Sequence, residues 1–456
     1  MDWAHWLRDF AVFGVVAAGL FAWLRAAHGR RLLGRVADAV ARWSPRRALV
    51  IVLLATAATR TAAMTTFEPR YKADTKEYVE KAEAIADEGS PRRQEVADDG
   101  TIFYRPLGSS LVLAGWYRLT GTRGLLSARV HGVLLACAAA WLVVVLGRTV
   151  GRETEGRLAA LAYAAFLPHV YFATIPYTET LVTVLVLAIS IQFERLRTDV
   201  GGWRAALALG LCAGWLVITR TELAWIVLLT SALLAWERRR ELSEAVAPIA
   251  LSLAMCAVPF VVNHELRAGY PGHLRTSCQG GLILYFGNNA TAVNGFGNAT
   301  PPVAAEVRAL YQRDPTGGLA RDTAIAWMRE HPFQVVANAP KKAFHLWLAE
   351  PQGFGWHAGV ERPPSPTGMD ATLSRVLRSA AYVQSLLLLI VAAAGWRLLG
   401  RERRFWTWTL ALHLGVWCLL ASSTRNRYPL EPWLLLAAAA WVARPPAIAA
   451  RRVAAS

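Results

Sequence analysis

Apolar residues along the 456-residue chain fall into eleven blocks that are separated by polar connections. The blocks cover residues 10–24, 48–64, 125–147, 158–174, 180–193, 205–219, 223–236, 245–262, 380–399, 405–421 and 432–443. A helix needs about 20 apolar residues to cross a bilayer, so the shorter blocks must recruit flanking residues or thin the bilayer locally. The pattern predicts an all-α polytopic membrane protein with about ten or eleven transmembrane helices.

The first block has the length of a signal-peptide core, but its flanks differ from those of a signal peptide. Acidic and aromatic residues precede it, and basic residues follow it. We therefore interpret residues 10–24 as a retained membrane helix.

Arginine is concentrated in alternate connections between the blocks. These connections are residues 25–47, 148–157, 238–240 and 401–404, together with the tail at 451–452. Positive residues mark cytoplasmic connections, so the other side carries residues 65–124, the turns near Pro176 and Arg220, residues 263–379 and residues 422–431. We expect a multi-pass protein of the cell membrane whose functional face is extracytoplasmic.

Two outer segments are too long to be simple connections, and we expect them to form a small extracytoplasmic layer. The predicted units are an N-terminal helix with a basic loop (1–47), a transmembrane core (48–262) that includes the first outer segment (65–124), a second outer segment (263–379) and C-terminal helices (380–456). Helical spacing predicts a surface helix at 75–87 and helices at 319–329 and 333–348. Glycine and asparagine in residues 280–302 predict irregular structure there.

Composition changes this picture little. Apolar residues make up 55% of the chain, and its formal charge of +17 is accounted for by membrane topology, so we predict no nucleic-acid partner. The five cysteines show no spacing typical of disulfides or zinc sites. No dense cluster of carboxylates or histidines indicates metal ligands, although a divalent cation stays open as a cofactor.

Asp74 is the leading candidate for chemistry on the outer side. It lies about ten residues past the second block, in the run Asp74-Thr75-Lys76-Glu77-Tyr78. A carboxylate there can act as a general base, and it can equally be the N-cap of the following helix.

Basic residues also collect on the outer side, where positive charge is disfavoured. They are Arg425 and Arg427 with Tyr428, Lys341 and Lys342, and Arg220. Such groups can bind the phosphate of a lipid-linked substrate among apolar walls. The alternative is that each is an interfacial anchor that extends to lipid headgroups.

Two carboxylates lie where membrane helices meet the outer surface, a costly position unless they are paired or functional. Glu222 has Arg220 as a local partner, whereas Glu179 has no oppositely charged sequence neighbour. Glu179 is therefore a candidate to orient a substrate or a cation.

The order of several short motifs resembles the membrane glycosyltransferases of the C-type fold, in particular the protein O-mannosyltransferases and aminoarabinose transferases. The matching motifs are Asp74 with Tyr78, Tyr104-Arg105-Pro106 followed by Gly121, Pro168 to Tyr171 with Glu179, Thr219-Arg220, Gly287-Asn288-Asn289 and Arg427-Tyr428-Pro429. Leu107 and Thr221 stand where the family has proline. The resemblance covers residues 48–441.

The resemblance implies a GT-C-like bundle that transfers a sugar from a polyprenyl-phosphate donor, with inversion, to an outer acceptor that is a protein, a lipid or a cell-envelope glycan. Asp74 would be the base, and Arg427, Arg425, Lys341 and Lys342 with Tyr428 would bind the donor phosphate. Arg105, Tyr78, Glu179 and Arg220 would shape the pocket. Membrane lipids would surround the bundle.

Two other functions use the same kinds of residue. A transporter or flippase for a lipid-linked sugar also needs basic residues, but it places polar groups near the bilayer midplane. A ligase that moves an oligosaccharide from a pyrophosphate-linked lipid would share the basic residues, and only the family resemblance separates it from a single-sugar transferase.

Overall fold

The computed structural model describes residues 3–66, 74–91, 95, 105–198, 202–268, 277, 279–292, 301–349 and 371–444. Within these ranges the chain forms nineteen α-helices and three short 3₁₀ turns, and no strand. The predicted all-α class is confirmed.

The first ten helices carry most of the apolar blocks. They are α1 (Trp3–Arg25), α2 (Ala27–Ala41), α3 (Pro45–Thr66), α4 (Asp74–Glu88), α5 (Gly108–Thr120), α6 (Gly124–Thr149), α7 (Glu153–Ala165), α8 (Leu167–Ala173), α9 (Glu179–Arg197) and α10 (Gly202–Thr219). The other nine are α11 (Trp225–Glu237), α12 (Leu242–Leu266), α13 (Gln279–Gly287), α14 (Pro301–Arg313), α15 (Gly318–Glu330), α16 (Pro332–Trp347), α17 (Ala371–Trp396), α18 (Arg403–Leu419) and α19 (Glu431–Ala443).

Each predicted apolar block lies mostly on helix, and six of the described helices are long and apolar enough to cross a membrane. These spans are Leu7–Arg25, Pro45–Thr66, Gly124–Thr149, Gly202–Thr219, Ser243–Leu266 and Arg375–Trp396. The chain is an integral multi-pass membrane protein.

Some shorter helices are lengthened by 3₁₀ turns at their ends. The turns Thr221–Leu223 and Arg239–Glu241 flank α11, and Thr424–Leu430 precedes α19. A 3₁₀ turn rises about 2.0 Å per residue against about 1.5 Å for an α-helix, so these short blocks reach further than their α-helical length indicates.

The fourth block is broken into α7 and α8 at Phe166. Pro168 has no N–H, so it cannot donate to the carbonyl of Ala164 four residues earlier. The fully buried Arg60 of α3 supplies the missing donors, because its guanidinium bonds to the carbonyl oxygens of Ala164 and of Tyr163, the latter at 2.9 Å. The break is therefore stabilised from a neighbouring helix.

Close packing of α10 on α12 depends on two glycines. A Cβ on Gly210 would lie 2.1 Å from the carbonyl oxygen of Ser252, and one on Gly214 would lie 2.2 Å from that of Cys256. Small residues at this four-residue spacing let two membrane helices approach closely.

The arginine-rich connections meet at one end of the bundle. Arg152 lies 2.8 Å from Glu402, Arg404 lies 3.1 Å from Glu237, and Arg30 of α2 donates to the carbonyl of Trp441 at 3.1 Å. The connections assigned to the outside are therefore gathered at the opposite end.

Helices predicted in the outer segments are found within one residue of their expected bounds, as α4, α15 and α16. The expectation of irregular structure at 280–302 is wrong where α13 and the start of α14 lie, and residues 293–300 fall outside the described residues. Gly281 explains the error. A Cβ there would lie 2.1 Å from the carbonyl of Gly317, so this glycine serves helix packing rather than a loop.

Candidate functional site

A cavity of about 260 Å³ opens at the end of the bundle opposite the arginine-rich connections. Its polar lining comes from Asp74, Tyr78, Arg105, Tyr177, Thr178, Thr219, Arg220, Thr221, Glu222, Gln279, Ser423, Arg425 and Asn426, and its apolar lining from Pro106, Phe172, Leu282, Ile283, Phe286, Trp417 and Ala421. Both outer segments and the three outer turns contribute. The connections that charge patterning assigned to one side thus converge on one cavity.

Asp74, the first residue of α4, is held by two arginines. Its Oδ1 lies 2.8 Å from Arg105 Nη2 and its Oδ2 lies 3.5 Å from Arg425 Nη1. Burial raises the pKa of this carboxyl, but attraction to both guanidinium groups outweighs burial and leaves the pKa below its ordinary value. Asp74 is therefore an anion at neutral pH.

Arg105 joins two carboxylates of the same helix. Besides its contact with Asp74, its Nε donates to Glu77 Oε2 at 2.6 Å. Residues 74 and 77 lie on one face of α4, as their spacing of three requires. Arg105 therefore fixes the side of α4 that faces the cavity.

Glu179, the first residue of α9, is buried, and arginines distant in sequence are its partners. Its Oε1 lies 3.6 Å from Arg220 Nη1 and 3.7 Å from Arg425 Nε. Arg425 thus bridges Glu179 and Asp74. No oppositely charged residue is close to Glu179 in the sequence because both of its arginine partners belong to other outer turns.

Arg220 also pairs locally with Glu222 at 2.7 Å, as predicted. Its Nη2 donates to Asn426 Oδ1 at 2.7 Å, which ties the turn after α10 to the last outer turn. Asn426 and Trp417, whose ring lies 5.8 Å from the Arg220 guanidinium, were not singled out from the sequence. An amide and an indole without a charged neighbour carry no distinctive sequence signal.

Tyrosines line the cavity beside Arg425. The ring of Tyr177 lies 5.7 Å from the Arg425 guanidinium, and its pKa is raised to about 12, chiefly by burial. Tyr78 packs edge-on against Tyr177, with ring centroids 6.4 Å apart, and burial raises its pKa as well. Both phenols are therefore neutral at physiological pH.

The structure does not bring Arg427, Tyr428, Lys341 or Lys342 to the cavity lining. Arg427 is 1% exposed, and its Nε donates to Glu431 Oε1 at 2.8 Å. Tyr428 packs on Phe172, with ring centroids 4.6 Å apart. These two residues hold the last outer turn on the bundle.

Lys342 is buried on the inner face of α16. Its Nζ donates to Asn288 Oδ1 at 3.2 Å and to the carbonyl of Leu419 at 3.4 Å. Burial lowers its pKa to about 8. The lysine therefore links α16, α13 and α18, behind the cavity wall.

A buried ion network extends from the cavity to the end of α12. Lys81 lies 3.4 Å from Glu77 and 2.9 Å from Glu95, and Arg267 reaches Glu95 at 2.6 Å. Arg267 Nη2 also donates to the carbonyl of Arg105 at 2.6 Å. Sequence reasoning missed Glu95 and Arg267 because 172 residues separate them.

Within the described ranges, no group of three or more histidine, cysteine, aspartate or glutamate side chains is placed to hold a metal ion. Arginines lie where a cation would balance Asp74 and Glu179. In the described part of the cavity, these carboxylates are therefore paired with guanidinium groups.

No protein-family profile and no curated protein matches this sequence. Among solved structures, the archaeal oligosaccharyltransferase AglB from Archaeoglobus fulgidus, in complex with an inhibitory peptide and a dolichol-phosphate, is similar at 13% identity with a TM-score of 0.50. The match covers 87% of this chain and 49% of AglB, so the chain spans about half the length of AglB.

ArnT from Cupriavidus metallidurans is similar at 15% identity in two structures. The structure bound to undecaprenyl phosphate has a TM-score of 0.39, with 87% of this chain and 78% of ArnT covered. The apo structure has a TM-score of 0.42, with 88% of this chain and 79% of ArnT covered. The likeness to AglB shows a common fold, and the chain therefore has the C-type glycosyltransferase fold that the order of its motifs indicated.

Proposed function

We propose that the protein transfers a sugar from a polyprenyl-phosphate donor to an acceptor hydroxyl on the extracytoplasmic face of the membrane. The observation that carries this proposal is the bridge that Arg425, a residue of the cavity lining, forms between Asp74 and Glu179. A base and an anion-binding group thus lie side by side. The dolichol-phosphate in the AglB complex, on the same fold, agrees with a lipid phosphate ligand.

The anion-binding role belongs to Arg425 and Arg220 in this proposal, rather than to Arg427. The Arg425 side chain is 36% exposed and its two contacts are 3.5 and 3.7 Å long, so a phosphate oxygen can compete for it. Arg220 also lines the cavity, whereas Arg427 lies outside the lining and is paired with the buried Glu431. A lipid phosphate bound to Arg425 would place its sugar beside Asp74.

Donor binding and activation of the base are coupled by this geometry. When Arg425 turns to the phosphate, Asp74 Oδ2 loses its partner while Oδ1 keeps Arg105. The free oxygen then accepts the proton of the acceptor hydroxyl as that oxygen bonds to the anomeric carbon. The bond from the anomeric carbon to the phosphate oxygen breaks, and Arg425 with Arg220 stabilises the departing dianion.

The same movement changes the basicity of Asp74. Arg425 is one of the two guanidinium groups that lower the pKa of this carboxyl in the free protein, so its departure raises the pKa and makes Asp74 a stronger base.

Release of polyprenyl phosphate from a panel of polyprenyl-phosphate sugars in nanodiscs, with cell-envelope extract as acceptor, tests the proposal. Asp74→Asn should retain donor binding and lose release. Asp87→Asn is the matched control, because Asp87 is on the same helix and pairs with Arg123 at 2.8 Å outside the cavity. Equal turnover by Asp74→Asn and the parent protein would remove Asp74 as the base.

Donor binding by the parent protein without release from any donor would contradict transferase activity. Movement of the intact lipid-linked sugar across the bilayer would then indicate a flippase. Release only from pyrophosphate-linked oligosaccharides would indicate a ligase.

A further inference from the structure

Helix α16 (Pro332–Trp347) presents an apolar stripe on its outward surface. Phe333 is 88% exposed and Val336 is 71% exposed, and Ala337 and Pro340 continue the stripe as exposed residues. These positions recur at spacings of three and four, which is one face of a helix. The stripe is therefore a continuous surface rather than scattered apolar residues.

The opposite face of α16 is fully engaged with the protein. Asn338, Lys342, His345 and Leu346 are buried there. Asn338 donates to the carbonyl of Ala292, and Lys342 donates to that of Leu419 at the end of α18. This packing fixes the rotation of α16, so the stripe is held outward.

The stripe is continuous with surfaces of membrane-crossing helices. Near its C-terminal end, the ring of Phe344 lies 5.5 Å from that of Phe10 on α1. Only 6% of the membrane-crossing window of α1 is buried, and Val12, Val15 and Val16 are exposed on it. On the other side, Leu419 of α18 is 51% exposed. The exposed apolar surfaces of α1 and α18 are thus continuous with the stripe on α16.

We propose that α16 lies in the headgroup region of the leaflet on the cavity side, with its apolar stripe in contact with lipid acyl chains. An amphipathic helix of this kind places its apolar face about 5–10 Å into the boundary between headgroups and acyl chains. Lys341 and Gln334 lie at the polar edge of the stripe, at the level of the headgroups.

Nitroxide labels at single cysteines test this placement. The labels are put at Phe333, Val336 and Pro340 on the stripe and at Gln334 as the matched control one residue away, in a protein whose five native cysteines are replaced, in nanodiscs of phosphatidylethanolamine and phosphatidylglycerol. The ratio of oxygen to nickel-chelate accessibility should be at least about threefold higher at positions 333 and 336 than at 334.

Equal nickel-chelate accessibility at 333 and 334 would show that the stripe faces water. Low accessibility to both reagents at 333 would show that another protein surface covers it. Either result overturns the proposal.

A second measurement leaves the native cysteines in place. A photoreactive benzophenone amino acid at position 333 or 334 is irradiated in the same nanodiscs, and the mass of the intact protein is measured. Lipid adducts at 333 that exceed those at 334 by about tenfold support the proposal, and equal yields at the two positions contradict it. Neither readout requires transferase activity.

Discussion

Glu95 and Arg267 form a buried bidentate ion pair, with the arginine Nη2 and Nε at 2.6 and 3.0 Å from the two carboxylate oxygens. Arg267 also donates to the main-chain carbonyl of Arg105. The pair therefore holds the residue that positions Asp74, although neither partner lines the cavity.

Arg267→Met should destabilise the protein strongly. Glu95 keeps Lys81 at 2.9 Å but loses its bidentate partner, and the carbonyl of Arg105 loses a donor, so the cost should lie toward the lower end of the about 3–5 kcal/mol typical of a broken buried ion pair. Thermal unfolding in detergent should show a clear fall in Tm. Arg321→Met is the control, because Arg321 pairs with Asp322 at the surface, and its Tm should match that of the parent protein. Equal Tm values for the two variants would show that the buried pair is unimportant.

Substitution of Arg425 should affect donor binding, and substitution of Arg427 should affect stability. Arg425→Met should weaken donor binding by about tenfold or more and leave Tm nearly unchanged, since a charge-assisted hydrogen bond contributes about 1.5–3 kcal/mol. Arg427→Met should lower Tm because Glu431 then loses a buried partner. Calorimetric titration with polyprenyl phosphate in nanodiscs and thermal unfolding measure the two effects. If Arg427→Met weakens donor binding and Arg425→Met lowers Tm instead, Arg427 is the residue that binds the phosphate.

The pH profile of kcat/KM should reflect the low pKa of Asp74. Burial raises this pKa, but attraction to Arg105 and Arg425 outweighs burial and leaves it below its ordinary value in the free enzyme. Asp74 therefore stays ionised as the pH falls, and the acid limb that it causes should lie below the ordinary titration range of an aspartate. In Arg105→Gln this limb should move to higher pH. An acid limb that stays in place in Arg105→Gln would contradict the role of Arg105.

Stability should rise between pH 8 and pH 10 because of Lys342. Its pKa is lowered to about 8 by burial, whereas the unfolded chain binds the same proton up to about pH 10.5. The unfolded state thus binds more protons in this window, so the free energy of unfolding increases with pH, by roughly 3 kcal/mol at most. The difference in Tm between the parent protein and Lys342→Met measures this contribution. A pH-independent difference would contradict it.

The helices were predictable from the sequence because a membrane helix needs a long run of apolar residues, and such a run is visible in the sequence without knowledge of any partner. The site was predictable only in part. Asp74, Arg105, Arg220, Glu179 and Arg425 were singled out and do lie at or beside the cavity. Which of Arg425 and Arg427 faces the cavity was not predictable, since it depends on the 3₁₀ turn that carries them. In such a turn, residues two apart point in different directions.

Partners that are far apart in sequence were also inaccessible to pattern reasoning. Glu179 meets Arg220 and Arg425, and Glu95 meets Arg267, only after separate connections have converged. No local periodicity encodes such a pairing. The helix α13 was missed for the opposite reason, because its glycines suggested a loop although Gly281 packs against a neighbouring helix turn.

Arg60 has a consequence for how the chain is made. Its carbonyl partners are 103 and 104 residues later in the sequence, so α3 leaves the ribosome long before α7 exists. An arginine at the centre of an inserting helix costs about 2.5–3.5 kcal/mol during translocon-mediated insertion, and this is an upper bound for Arg60, which lies between the centre and the C-terminal end of α3. Insertion of α3 is therefore costly until α7 and α8 have been synthesised. We expect α3 to stay close to the insertion machinery during that interval.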